Sequence, residues 1–495
     1  MASPGPLRGD DRSYTGYRRS GIRLGEPADP LLEAPAQPAG MTSDEAVCYF
    51  DRAHIVMLSE ESIIPAYAAA SCLVALEELA AEGWEGAQVP GDGRHFGEGA
   101  LIRRLGMEVG GYIHAGRSSW DLGGISQRLS IRSGLLEVAG DLNDYREALL
   151  DLAERHLETV MPYYTHGQHG QPTTLAHHLH AFVCVAERDF RRMDQAYRTV
   201  NVSQAGAAAG TATRFPVDRE RITDLLGFGT TASNTRDASM NHDYLWEGAA
   251  VASLLAASLG SLADELILWC SQEYNLIRMA DRWCHTSSIM TQKRNPTAAE
   301  KVQSIRKQLG GRSPVSYTGP EVVATLGAVR QAVQLLTGVV STLHVNVDLM
   351  RERSNAFWGQ ASDLAALLVQ ERRLPWRMAH QTVGIMVRLA EEEGIEPEEA
   401  TPSLLDRAAV LFLGEPLGLS ASHMADALDA AACVRTRTAT GSPGPAEMRR
   451  QIEVSREVLA ADRDRTRSRY ERLEAAQRRL DEAVAEALAR TGENT

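Results

Sequence analysis

The sequence predicts an all-α protein assembled around long helices, and two observations carry that expectation. Hydrophobic residues make up 44% of the 495-residue chain with only 8 Phe and 7 Trp, so the core is mostly Ala, Leu and Val, a composition that favours helices. Leu255, Leu259, Leu262, Leu266 and Trp269 recur at helical spacing, a stripe long enough to belong to a bundle. The length fits about three domains or one large helical assembly unit.

In chain order, residues 1–40 are rich in Pro, Gly, Arg and Asp without a helical period and read as a disordered extension. The fold starts near Met41, where Thr42 or Ser43 can cap a helix over Asp44 and Glu45. Helical patterning runs from Tyr49 to about Ala81, Gly91-Asp92-Gly93 breaks it, and a second helix carries Leu101, Leu105 and Met107. Ser118 or Ser119 followed by Asp121 marks another helix start, and periodicity continues from Ile125 to about Val160.

Met161 to Thr174 interrupts that pattern as a polar loop bracketed by prolines. A helix follows over 176–200. Its His177, His178 and His180 belong to packing and solvent, because no acidic partner follows at metal-ligand spacing. Gly206 to Thr213 is a small-residue, close-approach loop. Further helices are expected from Trp246 to Trp269, from Thr297 to about Leu309 before Gly310-Gly311, and over 321–350 and 355–370. After Leu374-Pro375-Trp376, shorter helices alternate with Gly and Pro breaks. In the charge-dense tail, Ile452, Leu459, Leu473 and Leu480 fall at multiples of seven residues, either an amphipathic helix on a partner surface or a solvated one. The expected division is an extension over 1–40, an N-terminal helical domain over 41–116, a central long-helix bundle over 117–370 and a C-terminal helical domain over 371–495.

A formal charge of −14 argues against a nucleic-acid partner. Six scattered cysteines without paired spacing indicate neither a disulfide framework nor a zinc site, so no metal and no cofactor are expected. No uninterrupted apolar run approaches the ~20 residues of a spanning helix. A soluble, cytoplasmic protein without a membrane partner is the simplest expectation.

The chemistry concentrates in three polar runs. Cys284 to Pro296 holds Ser287, Ser288, Met290, Lys293 and Asn295. A small serine beside a mobile cation and an amide can bind and deprotonate an anionic substrate, although by itself the run also reads as an exposed connector. His114 to Asp121 contains Ser118, Ser119 and Trp120. It is a helix cap, an anion-binding helix N-terminus, or both. Met161 to Thr174 contains Thr165, His166 and Gln168. His166 is the proton-handling candidate, because only histidine titrates near neutrality without large perturbation.

Taken together these runs resemble known ones. Thr286-Ser287-Ser288-Ile289-Met290-Thr291-Gln292-Lys293-Arg294-Asn295-Pro296 resembles the Gly-Ser-Ser-x-Met-Pro-x-Lys-x-Asn-Pro signature of the fumarase/aspartase superfamily. Within it, His114-Ala115-Gly116-Arg117-Ser118 and Met161 to Leu175 are most similar to the corresponding argininosuccinate lyase segments. The resemblance spans roughly residues 41–455. It implies a three-domain, mostly helical subunit whose central helices form a twenty-helix homotetramer core, each site drawing loops from three subunits.

The implied reaction is a carbon–nitrogen lyase elimination that releases fumarate from a dicarboxylate. Ser287 matches the base, Lys293 and Asn295 the carboxylate donors, and Ser118 a carboxylate-binding serine. Thr165 and His166 match the opposing loop, with Glu300 as the partner of His166. The departures lie on the amine side. Ser119 and Trp120 stand where the family has arginine and asparagine, His242 replaces an arginine, and Tyr317 is kept while the residues after it change. The expected activity is therefore fumarate release from an N-substituted aspartate with an amine other than arginine. Argininosuccinate lyase itself and a catalytically silent homologue are the alternatives.

Overall fold

Thr42 and Ser118 open helices in the computed structural model, which describes residues 23–83 and 97–490. Thr42 Oγ1 accepts from the Glu45 amide at 3.3 Å while the Glu45 carboxylate accepts from the Thr42 amide at 2.9 Å, a reciprocal cap for the Ser43–Glu60 helix. Ser118 and Asp121 make the same arrangement at the head of the Ser119–Arg155 helix. The Gly91-Asp92-Gly93 break lies outside the described residues, as do residues 1–22.

Residues 24–40, expected to be disordered, are packed. Leu24, Leu32 and Ala39 are buried, Asp29 caps the short Pro30–Glu33 helix, and Lys301 Nζ donates to the Leu32 and Ala34 carbonyls at 3.2 and 2.7 Å. A few apolar residues anchored on a preformed bundle suffice, and a segment held this way shows no period of its own.

The interior forms three clusters. The central one unites the Ser119–Arg155, Leu175–Val200, Asp243–Trp269, Thr297–Gly310 and Gly319–Ser341 helices. The stripe Leu255, Leu259, Leu262, Leu266 and Trp269 is buried there as expected. Asp243–Trp269 and Gly319–Ser341 have the length and hydropathy of membrane spans, and half or more of each apolar window is buried inside this bundle. The second cluster joins Ser43–Glu60, Ala66–Ala81 and the first turns of Ser119–Arg155. The third is formed by Ala361–Arg372, Trp376–Glu393, Pro402–Leu413 and Ala421–Leu428.

Three expectations change. Val160–Thr165 and Gln168–Thr174 are paired strands, not a loop. Their prolines face each other as Pro162↔Pro172 beside a bulge, which hides the strand pattern in the sequence. The helix expected over 321–350 stops at Ser341. Its continuation His344–Val345 pairs with Ile277–Arg278, and Asn346 caps a new helix at Val347. The last helix, Pro445–Ala489, faces its own chain: Met448, Ile452 and Leu459 join the central cluster, and Leu480, Ala483, Val484 and Ala487 join the second. Buried Arg146–Asp462 and Arg469–Asp194 pairs at 2.7 and 2.6 Å pin it to the bundle.

Candidate active site

The serine loop rises from a two-residue ladder, His285↔Asn295 and Thr286↔Arg294. Arg294 turns away from the tip: its Nε donates to Asp281 Oδ1 at 2.9 Å and its Nη2 to the Met279 carbonyl. Burial pushes the Asp281 carboxyl up, but the Gly25 amide and Arg294 hold it below its ordinary value. Lys293 is left exposed at the tip. Ser287 Oγ accepts from the Met290 and Ile289 amides at 3.1 and 3.4 Å. Two amide dipoles aimed at that oxygen favour its ionised form. Met290, Lys293, Asn295 and Glu300 line a cavity of about 700 Å³ together with Arg23 and Arg278. Glu300 stands exposed in the first turn of the Thr297–Gly310 helix, and Ser288 is exposed beside Ser287.

The Ser118 run borders a second cavity of about 490 Å³ whose lining includes Ser119, Trp120, Gln127, Gln204, His242 and Tyr244. Among its described lining residues there is no carboxylate, lysine or arginine. The Trp120 and His242 rings meet edge to face at 6.2 Å, and His242 stacks on Tyr244 at 6.4 Å. His242 Nδ1 donates to the Met240 carbonyl at 3.1 Å, so in the neutral ring Nε2 is an acceptor. Gln204 Nε2 donates to the Trp120 carbonyl at 2.9 Å, and its Oε1 accepts from Arg128 Nε at 3.3 Å. Asp121 is fully buried and accepts from the Ser118 and Ala208 amides at 2.9 and 3.2 Å. Burial raises its pKa to about 7, against the pull of those amides and Arg117.

The third run is the hairpin. Thr165 pairs with Gln168, leaving His166 and Gly167 as a two-residue turn at φ 54° and 72°. Positive φ at both turn residues is what a tight hairpin of this hand requires. Thr165, His166 and Gln168 are exposed at the tip. Gln168 lines a third cavity of about 460 Å³ with Glu273, Tyr274, Arg353 and Phe357. Behind the tip His169 is wedged edge to face between Tyr164 at 4.9 Å and Phe357 at 4.8 Å. Its pKa is lowered, first by burial. Arg437 fastens the hairpin base by donating to the Pro172 carbonyl and pairing with Asp363 at 2.8 Å.

Within one chain the three runs therefore line three different cavities. His166 and Glu300 make no hydrogen bond or ion pair with each other among the described residues. Tyr317 is buried beneath the Arg312 guanidinium at 4.0 Å and lines none of the three. His177 and His178 bond to the Gly441 carbonyl and Glu265, and His180 to Ser455. Sequence reasoning missed Gln204, Gln127, Tyr244 and Asp281, as well as the Asp51 and His54 supports beneath the Ser118 run. For Asp51, His54, Gln127 and Tyr244 the available signal was a polar residue inside a helical stretch, whereas Gln204 and Asp281 lie outside the long helices and carried none.

Residues 61–311 match a family described as lyase, and residues 358–435 match the argininosuccinate lyase C-terminal family. The argininosuccinate lyase of Methanosarcina barkeri is 34% identical over 483 residues, covering 92% of this chain and 97% of its own. That of Methanococcoides burtonii is 36% identical over 434 residues, covering 83% and 86%. The structure of EDDS lyase in complex with formate superposes with a TM-score of 0.87 at 30% identity, covering 95% of this chain and 98% of its own. A fumarate lyase from Mesorhizobium sp. BNC1 shares the fold, with a TM-score of 0.66 at 19% identity over 86% of this chain and 98% of its own. Matched along most of its length by sequence and by fold, the chain belongs to the fumarase/aspartase superfamily, close to argininosuccinate lyase, and is a carbon–nitrogen lyase that releases fumarate.

Proposed function

We propose that the chain splits an N-substituted aspartate into fumarate and an amine other than arginine, with Ser287 as the base. Ser287 Oγ removes the proton from C3. That proton is acidic only because the adjacent carboxylate takes up the electron pair as an aci-carboxylate, which needs preorganised donors. Lys293 and Asn295 supply them. As the pair returns to form the C2–C3 double bond, the C2–N bond breaks and the amine leaves with a proton. The observation that carries this reading is the pair of amides on Ser287 Oγ, at the stem of a loop whose Lys293 and Asn295 line a basic cavity.

The amine half rests on the second cavity. A guanidinium there has no carboxylate to meet among the described lining residues, whereas Trp120, His242 and Tyr244 offer flat apolar faces. Ser118 takes a substrate carboxylate at the head of its helix. Because one chain keeps the three runs apart, the site closes in a soluble homotetramer in which His166 and Thr165 reach Glu300 and Ser287 across subunit boundaries. Following fumarate absorbance over a panel of N-substituted aspartates, argininosuccinate included, tests this. Turnover of a flat or small amine's adduct is expected. Argininosuccinate turnover of about 1 s⁻¹ or more would replace it with argininosuccinate lyase activity, and inactivity in both directions would indicate a silent homologue.

A further inference from the structure

The Ser118 run is held from below by three anchors on one helix. Asp51, in the Ser43–Glu60 helix, accepts from Arg117 Nη1, and both side chains are 1% exposed. The Phe50 ring lies 5.5 Å from the same guanidinium. One turn on, His54 Nε2 donates to the Ala115 carbonyl at 2.9 Å. Between the two held residues Gly116 sits at φ 72°, where a Cβ would fall 2.7 Å from Val217 Cγ1. The next residue after Arg117 is Ser118, whose side chain caps the helix and whose neighbours Ser119 and Trp120 line the second cavity.

Stability does not explain this cluster. Asp51 Oδ2, Arg117 Nε and His54 Nδ1 are buried and find no hydrogen-bond partner among the described residues. A buried ion pair with unsatisfied atoms stabilises a fold no better than an apolar pair of equal volume. What charge adds here is direction: a guanidinium tied to one carboxylate fixes the backbone on either side of it.

We infer that Asp51 is a positioning residue for the lyase reaction, acting through Arg117 to set the Ser118 hydroxyl and helix N-terminus against a substrate carboxylate. The inference rests on the elimination proposed above. Ser118 touches substrate, and Asp51 and Arg117 do not.

The test compares wild-type protein with Asp51→Asn and with the double variant Asp51→Leu/Arg117→Met. Three quantities are read: the denaturant midpoint, fumarate affinity by calorimetry, and kcat/KM on whichever N-substituted aspartate the wild type splits. Asp51→Asn leaves a buried cation and is expected to lower the midpoint. The double variant regains wild-type stability yet keeps a fumarate Kd about tenfold weaker and a kcat/KM about a hundredfold lower. A double variant that recovers stability, fumarate binding and turnover together assigns the pair to packing and overturns the inference. So does one that fails to regain stability while Asp51→Asn still binds fumarate with wild-type affinity. Wild-type protein that neither binds fumarate nor splits any member of the panel overturns the elimination reading itself, and this inference with it.

Discussion

Gln204 reaches the Trp120 backbone across 2.9 Å and thereby ties the close-approach loop to the head of the Ser119–Arg155 helix. Gly124 makes room for it, since a Cβ there would fall 2.0 Å from Gln204 Nε2.

Gly124→Ala sets two effects against each other. Alanine in a helix gains up to about 1 kcal/mol over glycine, while overpacking against Gln204 costs about 1–3 kcal/mol and displaces it from Trp120 and Arg128. The second effect wins, so denaturant unfolding should show net destabilisation and amine affinity should fall with it. A variant more stable than the wild type would show that Gln204 moves aside freely.

Trp120 and His242 form the aromatic wall of the second cavity, where the proposed reaction seats the amine. Trp120→Ala should raise the KM for amine in the addition direction about tenfold, the size of a lost edge-to-face contact and its apolar area. The KM for fumarate should stay near its starting value. Equal loss on both substrates would place Trp120 on the dicarboxylate instead.

Asp121 gives stability a pH dependence of definite sign. Its folded pKa of about 7 lies above the ordinary 3.8, so folded protein keeps a proton that the unfolded chain releases. That part of stability is complete below pH 3.8 and is lost as pH rises through 7, at no more than about 1.4 kcal/mol per pH unit. Asp121→Asn should remove this slope. Unfolding curves between pH 5 and 8 that change equally in both proteins would show that Asp121 does not titrate there.

Ser287→Ala and His166→Asn should each lower elimination by about 10²–10⁴-fold while the assembly remains intact. If sites are shared between subunits, co-expressing the two variants recovers activity, because some sites then receive an intact Ser287 and an intact His166 from different chains. Mixed assemblies as inactive as the separate variants would argue that each chain builds its own site.

Much of this was legible in the sequence wherever the physics is local. The Ser118–Asp121 cap, the helix after Pro296 and the stripe from Leu255 to Trp269 each show within one or a few turns. The hairpin under His166 was hidden by its paired prolines. The packing of Leu24 to Ala39 was hidden because it borrows order from a bundle formed by residues far along the chain. The supports of the Ser118 run, Asp51, His54 and Gln204, lie about 60 or more positions away from it, and contacts at such separation leave no period to read. The residues named for chemistry come from resemblance, and what holds them in place shows only in three dimensions.

The last helix also sets an order of events during synthesis. Leu480, Ala483, Val484 and Ala487 complete the cluster that Ser43–Glu60 and Ala66–Ala81 begin. Ser43–Glu60 and Ala66–Ala81 therefore leave the ribosome long before the Pro445–Ala489 helix that completes the cover of their apolar faces. During that interval, at about 5–20 residues per second, the nascent chain exposes an open apolar surface that suits a chaperone. A chain terminated before Leu480 would carry that surface permanently, whatever the state of its three polar runs.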